Sequence, residues 1–425
     1  MAQESYKLRR VRAAVEPNGA HGTEISIGSF IDIAFREDSW KKTLGKPMET
    51  PMLIQQHLHG YPEKVFGPRS WDASVSVNMR AAPAVAGNAV IMANVPDAPL
   101  LEVCLGGVFL GTGTTIASTS TTTVLNLTNA AGLREGCAIG LNTGAGGAFE
   151  ARVIKTIATN VVTLHLALSS VPSNGSTVYA SATYFLGATN GGNIKSLQLT
   201  DEGAPDADRW LMRGGQIKSP PKFTVTPGKI STIGFELHGT EFNRADGTNG
   251  VTMNLTGVAL ANQNYTSGGI NVAMDSELRI HQVGVSTLAG TLIQAQEIEI
   301  TPNIKVVPHT TIAGLNTVFQ WVPARPDGPA CTIGFALPYD ASTWRTLRDN
   351  KTQMRMTCQL GSSTTTGAVL LDVPRLGFDD FQLEEVGEIS GQRIKGYGFL
   401  DNTGTGGGTT DLGVSVFRYN VFGKV

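Results

Sequence analysis

The stretch FQLEEVGEISGQRIKGYGFL, residues 381–400, repeats a pattern that already occurs in FTVTPGKISTIGFELHG, residues 223–239. With a one-residue gap, five positions match: Phe223, Val225, Gly228, Ile230 and Ser231 correspond to Phe381, Leu383, Gly387, Ile389 and Ser390. In both stretches apolar and polar residues alternate on either side of a turn, which predicts paired strands. A pattern that recurs within one chain indicates a duplicated structural unit.

The repeated unit extends beyond this pair of strands. In the second half it consists, in order, of FALPYD (335–340), a helix-length segment (341–350), MRMTCQL (354–360), AVLLDV (368–373) and the stretch from residue 381. The corresponding order in the first half is WDASVSVNM (71–79), PLLEVCLGG (99–107), TYFLG (183–187), IKSLQL (194–199) and the stretch from residue 223. We therefore predict two copies of one unit that is rich in strands.

The helix predicted for residues 341–350 is short and amphipathic. Trp344 and Leu347 fall on one side of it, away from the charged residues, and Asp340 is placed to cap its N-terminus. A helix of this length is not stable by its own propensity. We therefore expect Trp344 and Leu347 to pack against a sheet of the second copy.

The segment from residue 111 to residue 183 differs in composition from its surroundings. Short strand patterns recur there between Gly, Ser and Asn turns, namely TTVLNL, CAIGLN, EARVIKTI, NVVTLHL and STVYASATYF. Such spacing is typical of a small barrel or sandwich. Because the repeated pattern resumes on either side, we predict a small domain inserted into a surface loop.

These patterns together predict an all-β fold with short helices: two tandem β-sandwich or barrel domains plus a small inserted β domain. The predicted boundaries are 1–110 and 184–245 for the two parts of the first domain, 111–183 for the insert, 246–276 for a linker and 277–425 for the second domain. A chain of 425 residues is long enough for several cores.

Charge and cysteine content argue against several classes of function. The net charge is −2, and LRRVR at residues 8–12 is the only basic cluster, whereas a nucleic-acid binder needs several phosphate contacts. The four cysteines are isolated in apolar runs, unlike those of zinc or disulfide frameworks. No apolar run reaches the length of about 18 residues that a membrane span needs. We expect a protein that folds in the cytoplasm, without a membrane partner or cofactor.

Three groups of residues invite a metal or phosphate interpretation, but their surroundings do not support it. His57 and His59 could share one face of a strand, but no third ligand is near them in sequence. Asp246 lies in ADGTNG, which lacks the closing Glu of a calcium loop. The Gly-rich runs at 143–148 and 403–408 lack the Lys-Ser/Thr of a phosphate loop. The sequence predicts no catalytic, cofactor or metal site.

Acidic residues cluster in DDFQLEE, residues 379–385. Two carboxylates about 5–10 Å apart could hydrolyse a glycoside. Here, however, the acids alternate with Phe381 and Leu383, which predicts that those two are buried and that Asp380 and Glu384 share the opposite, solvated face. We interpret the acids as a negatively charged wall rather than a catalytic pair.

The repeated order of strand, helix, strand pair and Gly-x-Ile-Ser resembles the tail tube proteins of long-tailed bacteriophages, in particular those with two tandem tube domains per chain. The likeness is carried by FALPYDASTWRTLRDN, AVLLDVPRLGFDDF and EEVGEISGQRIKGYGFLD, with WDASVSVNM and GKISTIGFELHG as first-copy counterparts. The first copy departs from the pattern through its insert and its less amphipathic helix.

The resemblance implies a structural virion protein rather than an enzyme. Three chains would form a pseudo-hexameric ring, and stacked rings would form the conduit for phage DNA, which passes without specific binding. The implied partners are other copies of the chain, the tape measure protein and the tail terminator or distal tail proteins, and assembly would occur in the host cytoplasm. Asp380 and Glu384 are then expected to face the lumen and repel DNA.

Two alternatives remain open at this stage. A distal tail, tail terminator or baseplate ring protein would reuse the same fold without polymerising. A β-rich carbohydrate-binding protein or glycosidase would need exposed aromatic platforms, for which Trp40, Trp71 and Trp321 are candidates.

Overall fold

A computed structural model describes residues 9–17, 25, 30–36, 39–45, 48–49, 65–66, 70–82, 95, 97–143, 148–187, 194–203, 209–244, 276–283, 291–310, 318–324, 328–338, 343–363, 367–386, 389–400 and 412–423. Strands dominate these residues, and the two helices among them are short. The prediction of an all-β fold with short helices is therefore confirmed.

The first copy comprises the elements of residues 9–110 and 182–244. Its first part contains β1 (Arg9–Val15), β2 (Ile31–Asp32), β3 (Lys41–Gly45), β4 (Met48–Glu49), β5 (Val65–Phe66), β6 (Ser70–Asn78), α1 (Ala98–Leu105) and β7 (Gly107–Leu110). The insert, residues 114–180, contains β8 (Thr114–Thr115), β9 (Val124–Asn126), β10 (Ala138–Asn142), β11 (Phe149–Ala158), β12 (Val161–Leu164) and β13 (Thr177–Ala180). The first copy then resumes with β14 (Ala182–Leu186), β15 (Leu197–Gly203), β16 (Arg209–Val225), β17 (Thr232–Gly239) and β18 (Glu241–Arg244).

The second copy comprises the elements of residues 276–421. They are β19 (Ser276–Gln282), β20 (Thr291–Leu292), β21 (Glu297–Pro302), β22 (Lys305–Thr310), β23 (Val318–Ala324), β24 (Cys331–Pro338), α2 (Thr343–Asp349), β25 (Met354–Ser363), β26 (Gly367–Val386), β27 (Ile389–Gly398) and β28 (Phe417–Val421). The predicted linker at 246–276 lies outside the described residues except for Ser276, which begins β19.

The two copies share one order of antiparallel strand pairing. In the first copy the order across the sheet is β1, β15, β16, β17, β6 and β3. In the second it is β19, β25, β26, β27, β24 and β21. A short strand pairs with the first strand of each series, β2 with β1 and β20 with β19. A hairpin comes before the fifth strand in the chain, β4–β5 before β6 and β22–β23 before β24. Each helix follows that fifth strand in the chain.

The pairing corrects three details of the sequence alignment. AVLLDV and the stretch from residue 381 belong to one strand, β26, so AVLLDV corresponds to the start of β16 and not to IKSLQL. TYFLG lies in β14, whereas the counterpart of MRMTCQL in β25 is β15. Phe223 pairs with Ile233, and Phe381 pairs with Ile394. In the structure Ile233 of β17 is therefore equivalent to Ile394 of β27, which shifts these two strands by two residues from the sequence match of Ser231 with Ser390.

The main core lies behind the sheet of each copy and under the helices. In β6 the apolar positions Trp71, Ala73, Val75 and Val77 alternate with polar ones, so one face of the strand is buried. The indole of Trp71 lies against Gly239, where an added Cβ would come within 2.1 Å of the ring. A side chain at position 239 would therefore displace the tryptophan.

The insert forms its own six-stranded sheet in the order β8, β13, β10, β11, β12 and β9. A separate apolar cluster fills it, which includes Leu125, Ile139, Leu141, Ile154 and Val162. It contacts the second copy as well: the Gln359 amide of β25 accepts from Ala151 N and donates to Phe149 O, both at 2.8 Å. The insert is thus held by side chains of the other copy as well as by the strands on either side of it.

The last strand, β28, connects the two copies. Residues Phe417–Val421 pair with β14 of the first copy on one side and with the first half of β26 on the other. The end of the chain therefore completes a sheet that neither copy forms alone.

Candidate functional site

The most informative contact in the molecule is a sheet joint between the two copies, formed by β16 and β21. Phe223 pairs with Ile300, Thr224 with Glu299 and Val225 with Ile298. The four apolar residues of this joint are all buried, with Val225 only 3% exposed. The Phe223 ring also contacts the rings of Phe417 and Tyr419, at 4.9 and 5.5 Å between centroids. The joint is a continuous part of the core.

An ion pair crosses the joint on the face away from the core. Lys222 Nζ lies 2.8 Å from Glu299 Oε2, and both side chains are partly exposed. Exposed pairs of this kind contribute about 0–1 kcal/mol. The pair therefore adds little stability, but its charges favour this register of the two strands over others.

The end of β16 is shaped for this joint by its local sequence. Pro220 and Pro221 lie in an irregularity of pairing between Ser219 and Lys222. Prolines lack an N–H donor and are confined to strand edges and bulges. The bulge ends the first half of β16 and lets residues 223–225 pair with β21 on the side opposite β17.

The second copy has the same feature at the end of β26, but there no described strand lies along the edge opposite β27, which we call the open edge. Pairing with β27 is irregular between Phe378 and Asp380, and then continues with Phe381 opposite Ile394. Leu383 is 70% exposed and Phe381 is only partly buried. The prediction that Phe381 and Leu383 are buried is therefore wrong for Leu383, because no described strand covers its side of β26.

Asp380 and Glu384, the predicted lumen-facing acids, lie on this open half of β26. Asp380 is partly buried, and its carboxylate accepts from Phe381 N at 2.8 Å and from the Gln382 amide at 3.2 Å. The backbone of Glu384 pairs with Gly391, while its side chain lies outside the described part. Their orientation toward a lumen stays a prediction.

Trp344 and Leu347, the predicted packing residues of the second helix, lie on α2 over β26. Trp344 is buried and meets the rings of Phe335 and Phe378 edge-on, at 5.5 and 5.4 Å between centroids. Leu347 is partly buried against the same core. The next turn brings Arg348 over the ring of Phe381 at 5.1 Å. Asp340, the expected cap, lies outside the described residues.

A buried ion network that sequence reasoning missed lies under the closed half of β26. Asp372 accepts from Arg355 Nε at 2.9 Å and Nη2 at 2.7 Å, and from Arg418 Nη1 at 2.8 Å. All three side chains are buried. Each of the three is a charged residue in an otherwise apolar strand, and this pattern could have identified them as candidates for a buried ion pair. The sequence does not show that they pair with one another, because they lie far apart in the chain.

Two histidines lie close to this network and are held neutral. Burial lowers the pKa of His165 well below its usual value, and the charges of Arg355 and Arg418 lower it further. Burial, together with Arg355, lowers the pKa of His281 to about 3. Near neutral pH these two histidines therefore add no positive charge beside the two arginines, and proton transfer by them is disfavoured.

The described residues contain no group of three or more His, Cys, Asp or Glu side chains that could hold a metal ion. His57, His59 and Asp246 lie outside them, as does most of both Gly-rich runs. The four cysteines are buried and free. Burial raises the pKa of each thiol, to about 11 for Cys137 and about 12 for Cys358, so these thiols do not act as nucleophiles near neutral pH.

The aromatic platforms that a carbohydrate-binding alternative needs are absent from the three candidate positions. Trp40, Trp71 and Trp321 are all buried. The indole N–H of Trp71 donates to Arg213 O at 2.9 Å, and that of Trp321 donates to Gly214 O at 3.1 Å. Trp71 and Trp321 thus lie against β16, and none of the three buried rings offers a face to a sugar.

Comparison with known proteins gives no family assignment. No protein-family model matches the chain, and no curated protein matches it either. Within the described part of the chain, no helix is both long and apolar enough to cross a membrane.

Proposed function

We propose that the chain is a structural subunit of a phage tail, the major tail tube protein, which assembles head to tail into rings that stack around a passage for DNA. The observation that supports this proposal is the joint between β16 and β21. It connects two copies of one fold through two different edges, one from each copy.

A joint between different edges has a geometric consequence. A contact of this kind is heterologous, so repeating it between chains yields a closed ring or an open filament rather than a symmetric pair. Exposed strand edges are also a liability that proteins cover or pair. A chain that already joins two copies in this way is suited to continue the same joint with its neighbours.

Under this proposal three chains supply six pseudo-equivalent domains to each ring, and the insert decorates it. The partners are other copies of the chain, the tape measure protein and the terminator or distal tail proteins, and DNA passes through without specific binding. The protein then resides in the virion after assembly in the host cytoplasm. Its role is structural rather than catalytic.

Electron microscopy of the purified protein, combined with sedimentation over a range of concentrations, tests the proposal. Hollow tubes built of stacked rings are expected. Single rings that do not lengthen at high concentration would instead assign the chain to a distal tail, terminator or baseplate ring. A chain that stays monomeric at all concentrations would contradict both assignments.

A further inference from the structure

The closed joint of the first copy and the open edge of the second copy can be aligned residue by residue. Lys222 and Asp380 are each the first paired residue after an irregularity in the hairpin. The next residue is a phenylalanine opposite an isoleucine in both copies, and Val225 and Leu383 follow two positions later. Leu383 therefore takes the place of Val225, although it is 70% exposed and Val225 is buried.

The strand that would receive the open edge can be identified in the first copy. In the second copy Ile298 of β21 pairs with Phe335, which pairs with Ile394. In the first copy Phe35 bridges Val77, which pairs with Ile233. Because Ile233 and Ile394 are equivalent, Phe35 takes the place of Ile298. Within the described residues Phe35 is bridged to Val77 alone and is partly buried.

The residue after Phe35 completes the match. Arg36 donates its backbone N–H to Ser76 O at 2.9 Å, so it lies beside β6 as Glu299 lies beside β24. Its side chain is exposed. Arg36 thus takes the place of Glu299, and Asp380 takes the place of Lys222.

The charges at these equivalent positions are reversed. Inside the chain Lys222 of the hairpin pairs with Glu299 of the receiving edge. Between chains an acidic residue of the hairpin, Asp380, would meet a basic residue, Arg36. The two incorrect combinations, Lys222 with Arg36 and Asp380 with Glu299, bring like charges together, which disfavours them.

We infer that the open edge of β26 pairs with the Phe35–Arg36 edge of a second copy of the chain, with Leu383 opposite Phe35 and Asp380 beside Arg36. This inference rests on the proposed function, because it names the contact through which the ring would form. The reversed charges make the joint between chains distinct from the joint within a chain. They therefore favour alternation of first and second copies around the ring.

Cysteine cross-linking tests the pairing directly. Directly opposite residues in neighbouring strands have Cβ atoms about 4.5–5.5 Å apart, close to the range that a disulfide bridges. In the variant Leu383→Cys/Phe35→Cys, mild oxidation of the assembled protein should produce covalent dimers and trimers on a non-reducing denaturing gel. The native cysteines are all buried, so they should not contribute.

The chain offers a matched control for this experiment. Val225→Cys/Ile298→Cys places thiols at the equivalent positions of the closed joint, and it should lose free thiols without any gain in mass. Leu383→Cys alone should give no dimer, because the proposed contact is not symmetric. Dimers from that single variant would overturn the proposed pairing.

Charge reversal tests the alternation. Asp380→Arg and Arg36→Asp should each raise the concentration needed for assembly, and the double variant should return it toward that of the natural chain. Unchanged melting temperatures of the unassembled variants would show that each still folds. If the natural chain forms rings but the cysteine pair does not cross-link and the double variant gives no rescue, the pairing is wrong while the proposed function stands. A natural chain that remains monomeric overturns both.

Discussion

The two hairpins, β16–β17 and β26–β27, have the same pattern but different surroundings. In the first, β21 covers the outer edge, and Val225 is 3% exposed. In the second, no described strand covers that edge, and Leu383 is 70% exposed. Local sequence is thus sufficient to form the hairpin, whereas burial depends on which strand lies beside it. The difference marks the edge that a neighbouring chain can use.

The two halves of β26 also differ in what they contact. Its first half pairs with β25 and β28 and contains Asp372, the centre of the buried ion network. Its second half pairs with β27 alone among the described strands. One half is therefore anchored, and the other presents an edge.

The largest expected change in the free energy of unfolding comes from a substitution in the first half of β26, and a substitution in the second half should have little effect. Asp372→Ala removes the buried carboxylate that pairs with both Arg355 and Arg418, which should lower the free energy of unfolding by about 3–5 kcal/mol. Asp379→Ala, at an exposed position of the other half, should change it by less than about 0.5 kcal/mol. Urea denaturation of the unassembled chain measures both. Equal, small changes would show that the network does not anchor the strand.

The pH dependence of stability tests the surroundings of the buried ion network in the first half of β26. The folded pKa of His281 is about 3, below the usual 6.5, so the unfolded chain binds this proton first as pH falls. The resulting stabilisation is present above pH 6.5 and is lost as pH falls toward 3, at up to about 1.4 kcal/mol per pH unit. His281→Gln should therefore show a shallower loss of stability in acid.

Comparing the natural chain with the His281→Gln variant removes the contributions of all other titrating groups. Asp97 has a pKa raised to about 6 by burial, so its contribution is lost as pH rises and opposes that of the histidine. This contribution is common to the natural chain and the His281→Gln variant, so it cancels in their difference. Parallel stability curves for the two proteins between pH 6.5 and 4 would mean that His281 is accessible to protons in the fold.

The smallest expected change in the free energy of unfolding comes from equivalent positions of the two hairpins, Val225 and Leu383. Val225→Ala removes a buried side chain from the closed joint and should destabilise the unassembled chain by about 1–2 kcal/mol. Leu383→Ala removes an exposed side chain, and the change should stay within about 0.5 kcal/mol. The same denaturation experiment gives both values. A loss at Leu383 as large as that at Val225 would show that its edge is already covered within the chain.

The sequence predicted much of the fold because alternation is a local property. The strands β6 and β17 follow the alternating pattern closely, and each buries every second residue. Part of the repeat was also visible, because Phe223 and Val225 recur as Phe381 and Leu383, but the second strands align two residues away from the sequence match. The first helix was less amphipathic in sequence for a physical reason: all eight residues of α1 are buried, including Glu102, which pairs with Lys195.

The remaining features depend on contacts between distant segments. The continuity of β26 was hidden by Pro374 and by the irregularity before Asp380, both of which interrupt its pattern. The joint between β16 and β21 connects residues more than seventy positions apart, and no local rule specifies it. Leu383 was predicted to be buried because it alternates with polar residues, and the pattern does not show that its covering strand is missing.

A cryo-electron microscopy reconstruction of the assembled protein tests the central claim most directly, because it shows what covers the open half of β26. We predict a closed ring in which Leu383 and Gln382 of one chain lie opposite Phe35 and Arg36 of the next, as Val225 and Thr224 lie opposite Ile298 and Glu299 within each chain. A ring or tube in which β26 remains bare, or in which two β26 edges meet each other, would contradict it.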